Sequence, residues 1–267
     1  MIKKSGKTEG WEDIPERSTR PKRGIFINVD GEEGTGKSSL ALTLAKLGQV
    51  AYADIDQSID RAKRPDMPRG KKFSARMLPI RYTASVGGDS TKESCKLAWN
   101  TLKKGTTEAA EQWAKVVVVD AGDEAWEILR MGAFGTLTPR GRTDSLYGPV
   151  NAAFRQWIRT MHRHAMAHVV FVNKMKDVWK KGKDGQSERT GKKERVGFRE
   201  LGYLADMTVR TFKEDGEFKV RIEVCKLAPH GPALEGSIFE GDEVDLAHIL
   251  CTVTDTTIED WYESNKR

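Results

Sequence analysis

The residues with the plainest chemistry are Gly31 to Ser38, "GEEGTGKS", a G-x-x-x-x-G-K-S pattern. An apolar, β-branched run, "GIFINV", precedes it, and an amphipathic helical pattern, "SSLALTLAKLG", follows. Each residue type has a reason. Gly31, Gly34 and Gly36 permit positive φ and let backbone N–H groups approach phosphate oxygens closely. The following helix turns its positive end on the same anion. Lys37 reaches the β/γ-phosphates as a mobile charge, and Ser38 places a hydroxyl on Mg²⁺. Glu32, Glu33, Thr35 and Ser39 complete the cradle with their backbone. The bland alternative is a glycine-rich turn, and the flanking strand and helix argue against it.

A Mg²⁺-bound phosphate needs a second carboxylate to order the metal shell. Asp120 ends the apolar run "KVVVVD", where such a group belongs. Its competing role is a helix N-cap. Hydrolysis also needs a group that positions or deprotonates water. Asp54, Asp56 and Asp60 in "AYADIDQSID" begin at the end of a second strand, expected beside the P-loop, and Glu124 follows Asp120. Composition does not choose among the four. Asn173 and Lys174 follow the strand "HVVFVN", at the carboxyl end where ligands of parallel sheets bind, and are candidates to sense the γ-phosphate.

The elements that must position these groups alternate in type. Strands are expected at "GIFINV", "VAYADID", "MLPIRY" (towards an edge, because of Pro79), "KVVVVD" and "HVVFVN". Helices are expected after the P-loop, over 91–113 and over 145–167. "ADMTVRTFKEDGEFKVRIEVCKL" reads as a hairpin turning at Glu214-Asp215-Gly216. Alternating strands and helices imply an α/β fold, a mostly parallel sheet covered on both faces, closed by an antiparallel hairpin. Residues 1–23 read as a flexible basic arm, 24–230 as the core, and 231–267 as a tail with one weak helix near Asp245–Leu250.

Among 267 residues, no apolar run approaches the ~18 of a membrane span. The basic start lacks the apolar stretch of a secretory signal. Cys95, Cys225 and Cys251 show neither disulfide nor metal-ligand spacing, so a reducing cytoplasm is expected. The net charge is +6. Residues 174–199 hold ten Lys/Arg against four Asp/Glu, which accounts for the whole excess. Two Gly-containing, cationic segments with an aromatic group suit phosphate contact and base stacking on single strands. One is 135–148, with Arg140, Arg142 and Tyr147. The other is 174–200, read as a flexible loop, with Trp179, Lys180, Lys181, Lys183, Arg189, Lys192 and Lys193. A solvated charged loop is the alternative.

This order of parts resembles the RecA-like P-loop ATPases, in particular the small phage-encoded recombination and single-strand annealing ATPases. The likeness runs over roughly 24–230 and rests on the P-loop, "VVVVDAGDEAW" and "YADIDQSID". The family's strand ends D-x-E, and Asp56 falls on its catalytic base, one methylene shorter. Lys174 stands at the phosphate-sensor position, where RecA has Gln. "GFRELGYLADMTVR" resembles the end of the second DNA loop. In "VRIEVCKLAP", Lys226 matches a lysine that reaches a neighbouring protomer's nucleotide. The resemblance implies ATP, Mg²⁺, homo-oligomerisation as ring or filament, single-stranded DNA as ligand and a single-strand-binding protein as partner. Three other readings use the same motifs: a P-loop kinase of a small acceptor, a DNA-binding accessory protein switched by ATP, and a RecA-type helicase.

Overall fold

The computed structural model describes residues 24–57, 59–82, 89–136, 143–164, 167–181 and 186–263. The β-branched runs build β1 (Phe26–Gly31), β2 (Val50–Asp54), β3 (Ala75–Pro79), β4 (Val116–Asp120) and the first half of β5 (His168–Lys181). Strands β1, β2 and β4 are buried along their whole length, as strands covered on both faces must be. Strand β6 (Ser187–Arg195) pairs with the far half of β5. Strands β7 (Met207–Glu214), β8 (Glu217–Cys225) and β9 (Ile238–Glu240) complete the sheet, whose order is β3-β2-β4-β5-β1-β7-β8-β9. From β3 to β7 every pairing is parallel, and β8 and β9 add antiparallel. The expected mostly parallel α/β architecture with a closing hairpin is what the chain builds. Pro79 ends the edge strand β3, where its missing N–H costs no ladder bond.

Two apolar layers follow from the period-two alternation of the strands. Phe26, Val117, Val119 and Phe171 face Trp99 of α2 (Asp89–Gln112), Trp126 of α3 (Gly122–Phe134), and Phe154 and Trp157 of α4 (Thr143–Arg159). On the other face, Ile27, Val29, Val118 and Val170 meet Leu40 of α1 (Lys37–Leu42) and Leu44 of the 3₁₀ turn Thr43–Leu47 that continues it. A short α5 (Leu201–Leu204) leads into β7.

Three expectations are corrected. The composition reads 231–267 as a tail with one weak helix near Asp245–Leu250; that helix is α6 (Leu246–Thr254), but it buries Leu246, Ile249 and Leu250 against the α1 layer, β9 pairs with β8, and α7 (Ile258–Glu263) follows. Asp245 caps α6 by accepting from Ala247 N and His248 N, and it also pairs with Lys46. The segment 174–200 is not an irregular loop: β5 runs to Lys181 and returns as β6. The helix expected over 145–167 becomes α4 to Arg159 and then a π turn, Thr160–His164.

Candidate functional site

The P-loop is built as its glycines require. Gly34 and Gly36 have φ of 72° and 81°. Gly31 serves differently from the expectation: a Cβ there would lie 2.1 Å from Thr211 Oγ1, so its role is close approach to β7, not positive φ. The Thr35 hydroxyl donates to Glu32 O at 2.8 Å and shares a 2.6 Å hydrogen bond with Thr211. Lys37 Nζ donates to Glu32 O across the mouth of the loop. Burial lowers the Lys37 pKa, opposed by the charges of Asp120, Asp123 and Asp56.

Beside it, Ser38 Oγ donates to Asp120 Oδ2 at 2.6 Å. The Tyr52 hydroxyl, from β2, donates to the same oxygen, and Ala121 N donates to Oδ1 at 3.0 Å. A hydroxyl next to a carboxylate fixed by three donors is an all-oxygen, hard donor set that fits Mg²⁺. Among the described residues no group of three or more His, Cys, Asp or Glu could hold a metal. An ion held here would draw the rest of its shell from phosphate and water.

The cavity in front of the loop, about 670 Å³, is lined by Gly36, Lys37, Ser38, Asp56, Asp120 and Lys174 among others. The expectation that β2 lies beside the P-loop strand is corrected: β5 and β4 stand between β1 and β2. Asp56 still reaches the cavity, because β2 ends in register with β4, Asp54 opposite Asp120. Of the four carboxylate candidates, Asp56 carries a buried Oδ1 with no hydrogen-bond partner among the described residues. Glu124 also lines the cavity, but both its oxygens are engaged, by Lys174 Nζ at 2.7 Å and Tyr82 OH at 3.2 Å. Asp54 is buried at the strand end, and Asp60 is exposed on the turn Ile59–Arg61.

Asn173 is buried and donates to Asn28 Oδ1, while Lys174 points into the cavity. Burial works against the Lys174 charge, but the hydrogen bond it donates to Glu124 and the charges of Glu124, Asp123 and Asp56 outweigh it and raise its pKa. Asp123 escapes the sequence reading. It is 4% exposed, its Oδ1 has no hydrogen-bond partner among the described residues, and burial, partly offset by Lys174, lifts its pKa to about 6. The adjacent Asp-Glu pair in "AGDEAW" gives no sign of which side chain turns inward.

A second cavity of about 690 Å³ opens on the other side of the start of α1, lined by Thr35, Gly36, Ser39, Arg61, Arg64 and Phe218 among others. The two cavities share Gly36, Ser39 and Arg61.

The β5–β6 hairpin is fastened to the P-loop. Arg195 grips Asp30 with Nε at 2.8 and 3.0 Å and Nη2 at 2.6 Å, and Lys193 pairs with Glu32. Trp179 is 53% exposed, with the Arg189 guanidinium 5.2 Å from its ring centroid. Much of the hairpin's charge is neutralised internally, through Lys176–Glu194, Lys180–Glu188 and Arg189–Asp177 pairs. Lys181 and Lys192 form no ion pair among the described residues. Arg140, Arg142 and Lys183 lie outside the described residues. Lys226 is not brought to this cavity. It sits at the opposite end of the sheet, after Cys225 opposite Met207, and donates to Tyr203 O at 3.0 Å and Ala205 O at 2.8 Å.

Residues 23–231, more than half of the chain, match the AAA domain family AAA_24. The chain belongs to this AAA domain family. It is accordingly a P-loop ATPase of the AAA type. A distant likeness links the chain to the crystal structure of the RadB recombinase, with 16% identity and a TM-score of 0.46 over 82% of this chain and 86% of that one. No curated protein matches. Among the described residues, no helix of this AAA domain is long and apolar enough to cross a membrane.

Proposed function

We propose that the chain is an ATP-dependent recombination or annealing protein of the kind phages encode, working in the cytoplasm on single-stranded DNA. The observation that carries this reading is the continuity of β5. The strand passes from Asn173 and Lys174 at the phosphate cavity straight into the hairpin that holds Trp179, Lys181 and Lys192. Its return strand is tied to Asp30 and Glu32 at the P-loop. Nucleotide and hairpin therefore share one rigid element, so a change at one is felt at the other.

In this reading Gly31 to Ser39 cradle the phosphates and Lys37 neutralises them. Ser38 and Asp120 hold Mg²⁺, which supplies charge stabilisation to the phosphates. Asp56, with its open oxygen, aligns the attacking water, and Lys174 senses the γ-phosphate. Trp179 offers a stacking platform, and the hairpin cations, with Arg140 and Arg142, follow the backbone. ATP sits at the junction between copies in a ring or filament, and Lys226 of one copy serves its neighbour. Its distance from its own cavity is consistent with that role. A single-strand-binding protein is the natural partner, and DNA stimulates hydrolysis.

The test is the salt dependence of single-stranded oligonucleotide affinity with an ATP analogue bound. Each lost phosphate contact should reduce the log–log slope by about 0.7. Lys181→Glu combined with Lys192→Glu should flatten the slope by more than one unit. An unchanged slope and affinity would remove the hairpin from the interface.

A further inference from the structure

Three cations line the phosphate cavity: Lys37, Lys174 and Arg61. Lys37 is bonded to the Glu32 carbonyl, and Lys174 is paired with Glu124. Arg61 alone of the three makes no side-chain hydrogen bond or ion pair among the described residues. It also lines the second cavity, and with Gly36 and Ser39 it forms the seam where the two meet. The turn that carries it, Ile59–Arg61, is held over this seam: Ala62 N donates to Ile59 O at 3.1 Å, and Lys63 N donates to Ser39 Oγ at 2.9 Å. The backbone that carries Arg61, an exposed residue whose guanidinium is unpaired among the described residues, is thus held beside the first turn of α1.

We propose that Arg61 binds the α/β-phosphate bridge of the nucleotide from within the same subunit. The assignment rests on the ATPase reading of the cavity. The γ end of a triphosphate belongs beside Lys174, Asp56 and the Ser38–Asp120 pair, all on one side of the seam. The second cavity, with Phe218 and Thr43 in its wall, is large enough for a nucleoside. A nucleotide spanning both cavities carries its inner phosphates across the seam, where, among the described residues, Arg61 is the one cation that lines both cavities. A guanidinium suits that place because its planar fork grips two phosphate oxygens at once.

The test measures dissociation constants of ATP, ADP and adenosine for the full chain, by displacement of a fluorescent ATP analogue. The variants are Arg61→Ala and Arg61→Lys, with Lys37→Ala as control. Arg61→Ala should weaken ATP and ADP by the same factor, about 10- to 100-fold, and leave adenosine unchanged. Arg61→Lys should recover part of the loss, since the charge remains and the fork does not. Circular dichroism should be unaltered, because among the described residues the side chain has no hydrogen bond or ion pair to lose. Unchanged ATP and ADP affinities would overturn the assignment. So would weakening of ATP alone, which would move Arg61 to the γ-phosphate. Absence of ATP binding by the unaltered protein is a separate outcome: it would sink the ATPase reading and this assignment with it.

Discussion

Replacing Arg195 with alanine strips a buried carboxylate of its counter-charge at the root of the P-loop. Asp30 is 4% exposed, and the Arg195 side chain is 17% exposed. Three contacts between 2.6 and 3.0 Å join them. Removing one partner of such a pair typically costs about 3–5 kcal/mol, because the remaining charge stays desolvated. For a chain of this size each kcal/mol lowers Tm by about 2–4 °C, so Arg195→Ala should melt roughly 10 °C lower. Thermal and urea unfolding followed by circular dichroism measure this directly. The paired replacement Asp30→Asn with Arg195→Met removes both charges and should recover most of the loss. The single variant should also loosen the hairpin from the P-loop, so that bound ATP no longer raises affinity for single strands. A loss below about 1 kcal/mol, or a double variant no more stable than Arg195→Ala, would refute the idea that this pair is a buried anchor.

Asp56→Asn should lower kcat for ATP hydrolysis by about 10²–10⁴ while keeping ATP affinity. Glu124→Gln, whose oxygens are already occupied, should do less; the reverse ranking in steady-state assays would make Glu124 the base. His168 is fully buried with Nδ1 accepting from Ile25 N at 3.2 Å, and burial pushes its pKa down to about 3. Its imidazole stays neutral in the fold but takes up a proton on unfolding below about pH 6.5. Its contribution is therefore complete above that pH and lost as pH falls towards 3, on the order of a few kcal/mol. Urea unfolding between pH 4 and 8 should show a flatter profile for His168→Gln, and parallel curves would contradict it.

The phosphate loop and Asp120 are legible in the sequence because their constraints are local: glycines where the backbone must turn, and a carboxylate where an apolar strand stops. The class of fold follows from the same runs. What the sequence hides is set by distant partners. That β2 lies outboard of β4 depends on how the crossovers pack, not on any residue of β2. The second strand of the hairpin, "SERTGKKER", has no apolar alternation to mark it, and its Arg195–Asp30 anchor pairs residues 165 positions apart. Helix α6 itself is legible near Asp245–Leu250, but its packing is not: its apolar face acquires meaning only from the α1 layer it covers. Arg61 is one of many charges in a polar stretch. Only the meeting of two cavities singles it out.

Steady-state ATP hydrolysis with and without single-stranded DNA, with Lys37→Ala as the blank, tests the central claim most directly. The account predicts turnover that Lys37→Ala abolishes and that single strands raise several-fold. Turnover indifferent to DNA, or dependent on a small phosphate acceptor instead, would contradict it.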